Sequence, residues 1–135
     1  MNRTYVLDAS ALLVLVDNRP HARRVNKLIE EADRLNATLM GSVVNLGEVF
    51  YLAWLRHGEQ AARDTLDDLS QLPIQIVSVD APQALKAAEL RALHHIPYVD
   101  CLAAALSSIH QATLVTSDRD FEKLGRHFPI LWLER

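Results

Sequence analysis

Residues 4–16 read TYVLDASALLVLV: a short β-prone run, one acid, then an apolar run of helical character. Thr4 to Leu7 predicts a strand and Ala9 to Val16 a short apolar helix, which leaves Asp8 at the junction. An aspartate there can cap the helix, because its carboxylate accepts from first-turn amides that have no partner inside the helix. The junction is also where open α/β sheets collect ligands, beyond the carboxyl ends of their strands.

The same alternation continues outward from this stretch. Pro20 to Leu35 predicts an amphipathic helix with proline in its first turn, Thr38 to Gly41 a second strand, and Asn45 to Arg56 a helix stopped by Gly58. Glu59 to Leu72 is a charged amphipathic helix ended by Pro73, and Ile74 to Val79 alternates as a strand. Ala81 to His94 is helical, Pro97 opens a helix through His110, Thr113 to Thr116 is a strand, Asp120 to Arg126 a short helix, and Ile130 to Leu133 a last strand. Parallel neighbours need crossover connections, so strands alternating with helices predict an α/β fold whose mainly parallel sheet is covered on both faces. With 135 residues, half of them hydrophobic, one domain spanning residues 1–135 is expected.

Composition narrows the function classes. The lone Cys101 excludes an internal disulfide and reads as a buried apolar thiol in a reducing compartment. The apolar run after Asp8 is too short to span a bilayer and no cleavage-site pattern follows it, so a cytoplasmic protein without a membrane partner is expected. The net charge of −3 gives no global footprint for nucleic acid. Arg19, His21, Arg23, Arg24 and Lys27 form a local basic stretch, which is either a solvated helix face or the border of an anionic-substrate site.

Four acids stand where strands give way to helices or nearby: Asp8, Glu48, Asp100 and Asp118. Brought together, carboxylates repel by roughly 1 kcal/mol per pair at 4 Å in water and about 4 kcal/mol at an effective dielectric near 20. A divalent cation is the usual reason to assemble them, since Mg²⁺ and Mn²⁺ prefer hard oxygen ligands. Asp8, Asp100 and Asp118 taken singly are equally served by capping or first-turn roles. Glu48 is not, because it lies inside the apolar helix GEVFYLAWL with Leu52 and Leu55 on its own face, and a carboxylate on a core-facing stripe needs a partner. Asn45, one turn earlier, can donate to it.

The ordered set LDAS, Ser42 followed by NLGE, DCLAAA from Asp100, and LVTSDRDF resembles the PIN domain, specifically the VapC-type ribonuclease toxins, over essentially the whole chain. The resemblance implies a three-layer α/β/α sandwich with a central parallel sheet of about five strands. It implies a Mg²⁺-dependent (or Mn²⁺-dependent) endoribonuclease site built by Asp8, Glu48, Asp100 and Asp118, leaving 5′-phosphate and 3′-hydroxyl ends. Asp120 is then an outer ligand through water, or a cap or surface charge; Ser10 and Thr116 match small polar positions beside the acids. Arg23, Arg24 and Lys27, with Arg19, would steer an RNA backbone once metal fills the site. A cognate antitoxin and a homodimer are the expected protein partners, and the surplus of bulky apolar residues (Val49, Phe50, Tyr51, Trp54 and Leu55, with Leu12, Leu13 and Val16) would serve them. The alternatives are a catalytically silent PIN-like module that binds RNA or a partner, and a phosphoacceptor receiver domain using Asp80. The latter lacks its acidic pair after the first strand and its lysine after the fifth.

Overall fold

The computed structural model describes residues 2–17 and 22–133. The elements run β1 (Arg3–Leu7), α1 (Ala9–Asp17), α2 (Ala22–Asp33), β2 (Ala37–Ser42), α3 (Val43–His57), α4 (Glu59–Ser70), β3 (Ile74–Val77), α5 (Ala81–His94), α6 (Tyr98–Ile109), β4 (Thr113–Thr116), a 3-10 helix (Arg119–Leu124) and β5 (Ile130–Trp132). Pro20, Arg19 and His21 fall outside the described residues, so the expected proline-led start of α2 does too. The last short helix is 3-10 rather than α, in keeping with its length of only 6 residues.

All strand pairs are parallel, in the order β3-β2-β1-β4-β5. Consecutive strand residues point to opposite faces, and the sequence fills both. Leu7, Leu39 and Val115 pack under α1 and α2 with Leu12, Val25, Leu28, Val49 and Leu69. Their neighbours Val6 and Leu114 pack on the other side with Ala87, Leu90, Leu102, Leu106 and Phe121 from α5, α6 and the 3-10 helix. This is the three-layer α/β/α arrangement, and the run of small residues in α6 has a cause: Ala103, Ala104 and Ala105 are fully buried and let that helix sit close to the sheet.

Caps fix where the helices begin and end. The Ser42 side chain accepts from the Val44 amide to open α3, and Asp80 accepts from the Gln83 amide to open α5. Asp80 therefore has a structural task, away from any phosphoacceptor role. His95 closes α5 in the left-handed conformation and His110 closes α6, so both are helix-end residues.

Gly58 joins α3 to α4 with φ 94° and ψ 171°, while its amide donates to the Trp54 carbonyl at 2.8 Å. That backbone region is open essentially to glycine alone, and a Cβ built there meets no atom within 4 Å, so the penalty for a side chain is purely conformational. Gly58→Ala is expected to lower stability by about 1–3 kcal/mol in urea denaturation; unchanged stability would show that the α3–α4 junction relaxes freely.

Candidate metal centre

The chain leaves β1 toward β2 and β3, then returns to place β4 on the other side of β1, so the strand order reverses between β1 and β4. Connections diverge at such a switch point and a crevice opens at the carboxyl ends of the two strands. Asp8 follows β1 and Asp118 follows β4, so both lie at this crevice.

Asp8 is held on every side. It is 5% exposed. Ser10 Oγ donates to its Oδ1 at 2.6 Å, the Ala11 amide to the same oxygen at 3.0 Å, and Thr116 Oγ1 crosses from β4 to donate to Oδ2 at 2.5 Å. The two hydroxyls are themselves positioned by the β4 exit loop: the Asp118 amide donates to Thr116 Oγ1 and the Ser117 amide to Ser10 Oγ. Ser10 and Thr116 therefore orient the Asp8 carboxylate, and the Ala11 bond shows that Asp8 also caps α1.

Asp118 likewise does two things. Its Oδ1 accepts from the Asp120 amide at 2.9 Å, opening the 3-10 helix, and the turn thus formed carries Asp120 back toward the crevice. Ligand oxygens from Asp100, Asp118 and Asp120 lie within 4.8 Å of one another. Asp120 stands closer to the centre of the group than its sequence position suggested. Asp100 reaches it from the first turn of α6, so that helix does begin at the crevice. Glu48, on α3, accepts from Asn45 Nδ2 at 3.3 Å. Its helix face is less apolar in effect than the sequence implied: Leu52 is half-buried but Leu55 is 76% exposed, because α3 turns away from the core beyond Ala53.

The cost of this assembly is visible in proton affinity. Burial first, then the charges of Asp118, Glu48, Asp8 and Asp120, push the Asp100 carboxyl up to about 7 from its ordinary 3.8. Asp118, Glu48, Asp8 and Asp120 are therefore all within electrostatic reach of Asp100. Burial pushes Asp8 up to about 6 against the lowering effect of its three hydrogen bonds, with Asp118 adding to the rise. Burial and the adjacent Asp100 raise the Cys101 thiol, which donates weakly to the Ile96 carbonyl and is no nucleophile here.

The donor set, all carboxylate oxygens, fits a hard divalent cation. Oxygens about 2.1 Å from a common ion lie up to about 4.2 Å apart, close to the 4.8 Å within which the carboxylates of Asp100, Asp118 and Asp120 lie. Asn45, 1% exposed, keeps its buried Oδ1 without a hydrogen-bond partner among the described residues, an acceptor suited to water in an ion's hydration shell.

The family model of the PIN domain matches residues 5–127. The chain belongs to the PIN domain family. Solved structures of similar fold include VapBC2 from Rickettsia felis bound to a DNA fragment from their promoter (TM-score 0.79, 21% identity, 97% of this chain and 99% of that one). VapBC-1 from nontypeable Haemophilus influenzae is another (0.72, 18%, 96% and 97%), as is Mycobacterium tuberculosis VapC20, a Sarcin-Ricin loop cleaving toxin (0.70, 20%, 90% and 95%). No curated protein matches the sequence. Membership excludes the receiver-domain alternative. In this PIN domain no helix among the described residues is long and apolar enough to cross a membrane.

Beside the acids, the PIN fold places two residues that no sequence motif marked. The Arg119 guanidinium lies over the Trp132 ring, 4.5 Å from its centroid, and Arg24 Nη1 donates to the Trp132 carbonyl at 2.8 Å. Arg119 sits between two acids in SDRD and Trp132 within the last strand, so only the pairing of β4 with β5, Thr116 beside Trp132, reveals them as neighbours of the site.

Raised carboxyl groups set a pH dependence of stability. Between the ordinary value of 3.8 and the native values near 6 and 7, the folded protein holds more protons than the unfolded chain, so stability falls as pH rises through that window. A cation binds the deprotonated carboxylates and opposes the loss. Mg²⁺ is therefore expected to raise Tm at about pH 8 and far less at about pH 5. Asp100→Asn should raise the metal-free Tm at the higher pH and shrink the Mg²⁺ shift; a shift equal at both pH values would contradict the assignment.

Proposed function

We propose that the protein is a cytoplasmic, Mg²⁺- or Mn²⁺-dependent endoribonuclease and the toxin of a VapBC-type toxin–antitoxin pair. The observation that carries this reading is the group of Asp100, Asp118 and Asp120 in a PIN domain, with Asp8 and Glu48 close enough to raise the proton affinity of Asp100. The fold shared with VapBC structures supports the toxin assignment.

A bound divalent cation would acidify water and neutralise charge developing on the phosphate. The chain's own residues prepare for it. Asp100, Asp118 and Asp120 would hold the ion directly or through water, with Glu48 completing the acidic wall. Asp8 is fixed in one rotamer by Ser10 and Thr116, so a carboxylate already stripped of water needs no reorganisation when substrate arrives. No histidine or lysine is assigned to proton transfer; the acids and the water they orient suffice.

Arg23, Arg24 and Lys27 are exposed along one side of α2, and the Arg24 bond to Trp132 ties that side to the strand next to the acids. This supports a phosphate path leading from α2 to the crevice. Tyr51, Trp54 and Leu55 are exposed on α3, which supports a protein partner, an antitoxin or a second copy in a homodimer, covering that helix.

Asp8→Asn and chelator are each expected to reduce cleavage of unstructured RNA by at least about 10²-fold, the scale on which acid–base and metal machinery acts. Cleavage persisting in chelator would refute the mechanism. Reversing the charge of Arg23 and Arg24 together should flatten the slope of log binding constant against log salt by about 1–2; an unchanged slope would remove α2 from the RNA path.

A further inference from the structure

Next to the acids, between the 3-10 helix and β5, lies a cleft of about 450 Å³ lined by Phe121, Glu122, Arg126, Phe128, Ile130 and Trp132 among others. We propose that this cleft seats one nucleobase of a single-stranded RNA segment flanking the scissile phosphate, stacked on Trp132 in its wall beside the Arg119 guanidinium that lies over the same ring. The proposal rests on the ribonuclease reading and adds to it a base-recognition site.

Position argues first. Trp132 is the register partner of Thr116, the residue that clamps Asp8, and parallel neighbours lie about 4.8 Å apart. The cleft therefore opens one strand away from the carboxylates. Arg119 is bracketed in sequence by Asp118 and Asp120, so the segment that carries those acids also carries the guanidinium that lies on the Trp132 ring. The basic side of α2 ends on the same residue, through the Arg24 bond to the Trp132 carbonyl. A strand following that side arrives at the cleft.

Chemistry argues second. Unpaired bases bind by stacking on aromatic rings and arginine planes, and the Arg119–Trp132 stack offers both already in contact. Phe121 is fully buried and supports the floor, while Phe128 and Trp132 remain half-exposed at the walls. Arg126 is exposed at the rim, where it can meet a phosphate or a base edge, and Glu122 supplies an acceptor. Few rigid side chains with two opposite charges suit a planar, polar-edged ligand better than an aliphatic one.

The test uses Trp54→Phe protein, in which Trp132 is the remaining tryptophan. Its fluorescence is followed on adding a short unstructured RNA with Ca²⁺ in place of Mg²⁺, beside an abasic ribose-phosphate oligomer of the same length, with binding of each measured independently by anisotropy. The RNA should quench Trp132 and the abasic oligomer should not. In Mg²⁺, Trp132→Leu and the surface change Arg119→Ala should each raise KM about tenfold with little change in kcat, as expected for lost stacking. Equal quenching by both oligomers, or an unchanged KM in Arg119→Ala while RNA is still cleaved, would overturn the cleft and leave the ribonuclease reading intact. A wild-type protein that neither binds nor cleaves RNA would overturn that reading, and the cleft with it.

Discussion

The hydrogen bond from Thr116 Oγ1 to Asp8 Oδ2 joins the ends of the two strands between which the strand order reverses. Without it the buried Asp8 carboxylate would lose one of its three compensating donors in a place where water does not replace them. Through the Asp118 amide on the same hydroxyl, the bond also sets the start of the loop that delivers Asp118 and Asp120. Placement of the acids and closure of β1 against β4 are thus one event. An enzyme site of this kind is built at the expense of the fold's electrostatics, and the raised proton affinities of Asp8 and Asp100 record that expense.

Much of this was legible in the sequence because strands and helices here follow their local periods. All five strands and every long helix fall where alternation and capping residues put them, and Gly58 ends α3 as a glycine with positive φ should. Strand order was not legible, since β4 could have been added beside β3 as well as beside β1; what decides it is packing on both faces, not any residue pattern. For the same reason Asp100 could be named but not placed, and its arrival depends on α6 lying against β1, β2 and β4 at once.

Two residues show where one-dimensional reading fails. By sequence Asp120 suits an outer ligand, a cap or a surface charge alike; the capping in that turn is done by Asp118, and the Asp120 carboxylate lies with those of Asp100 and Asp118. Trp132 packs partly against the core from the edge strand and carries Arg119 on its ring, a contact no local pattern marks. Glu48, in conflict with its apolar helix, is among the charges that raise the Asp100 carboxyl, and the far end of its helix face is open to solvent.

The partners Asp8 and Thr116 are 108 residues apart in the chain. During synthesis at about 5–20 residues per second, the first acid is therefore exposed for several seconds before its clamp exists. Nothing resembling the acidic crevice can form on a ribosome-bound fragment that ends before residue 120. The acids are thus brought together only after Asp120 has been made, a delay enforced by topology alone.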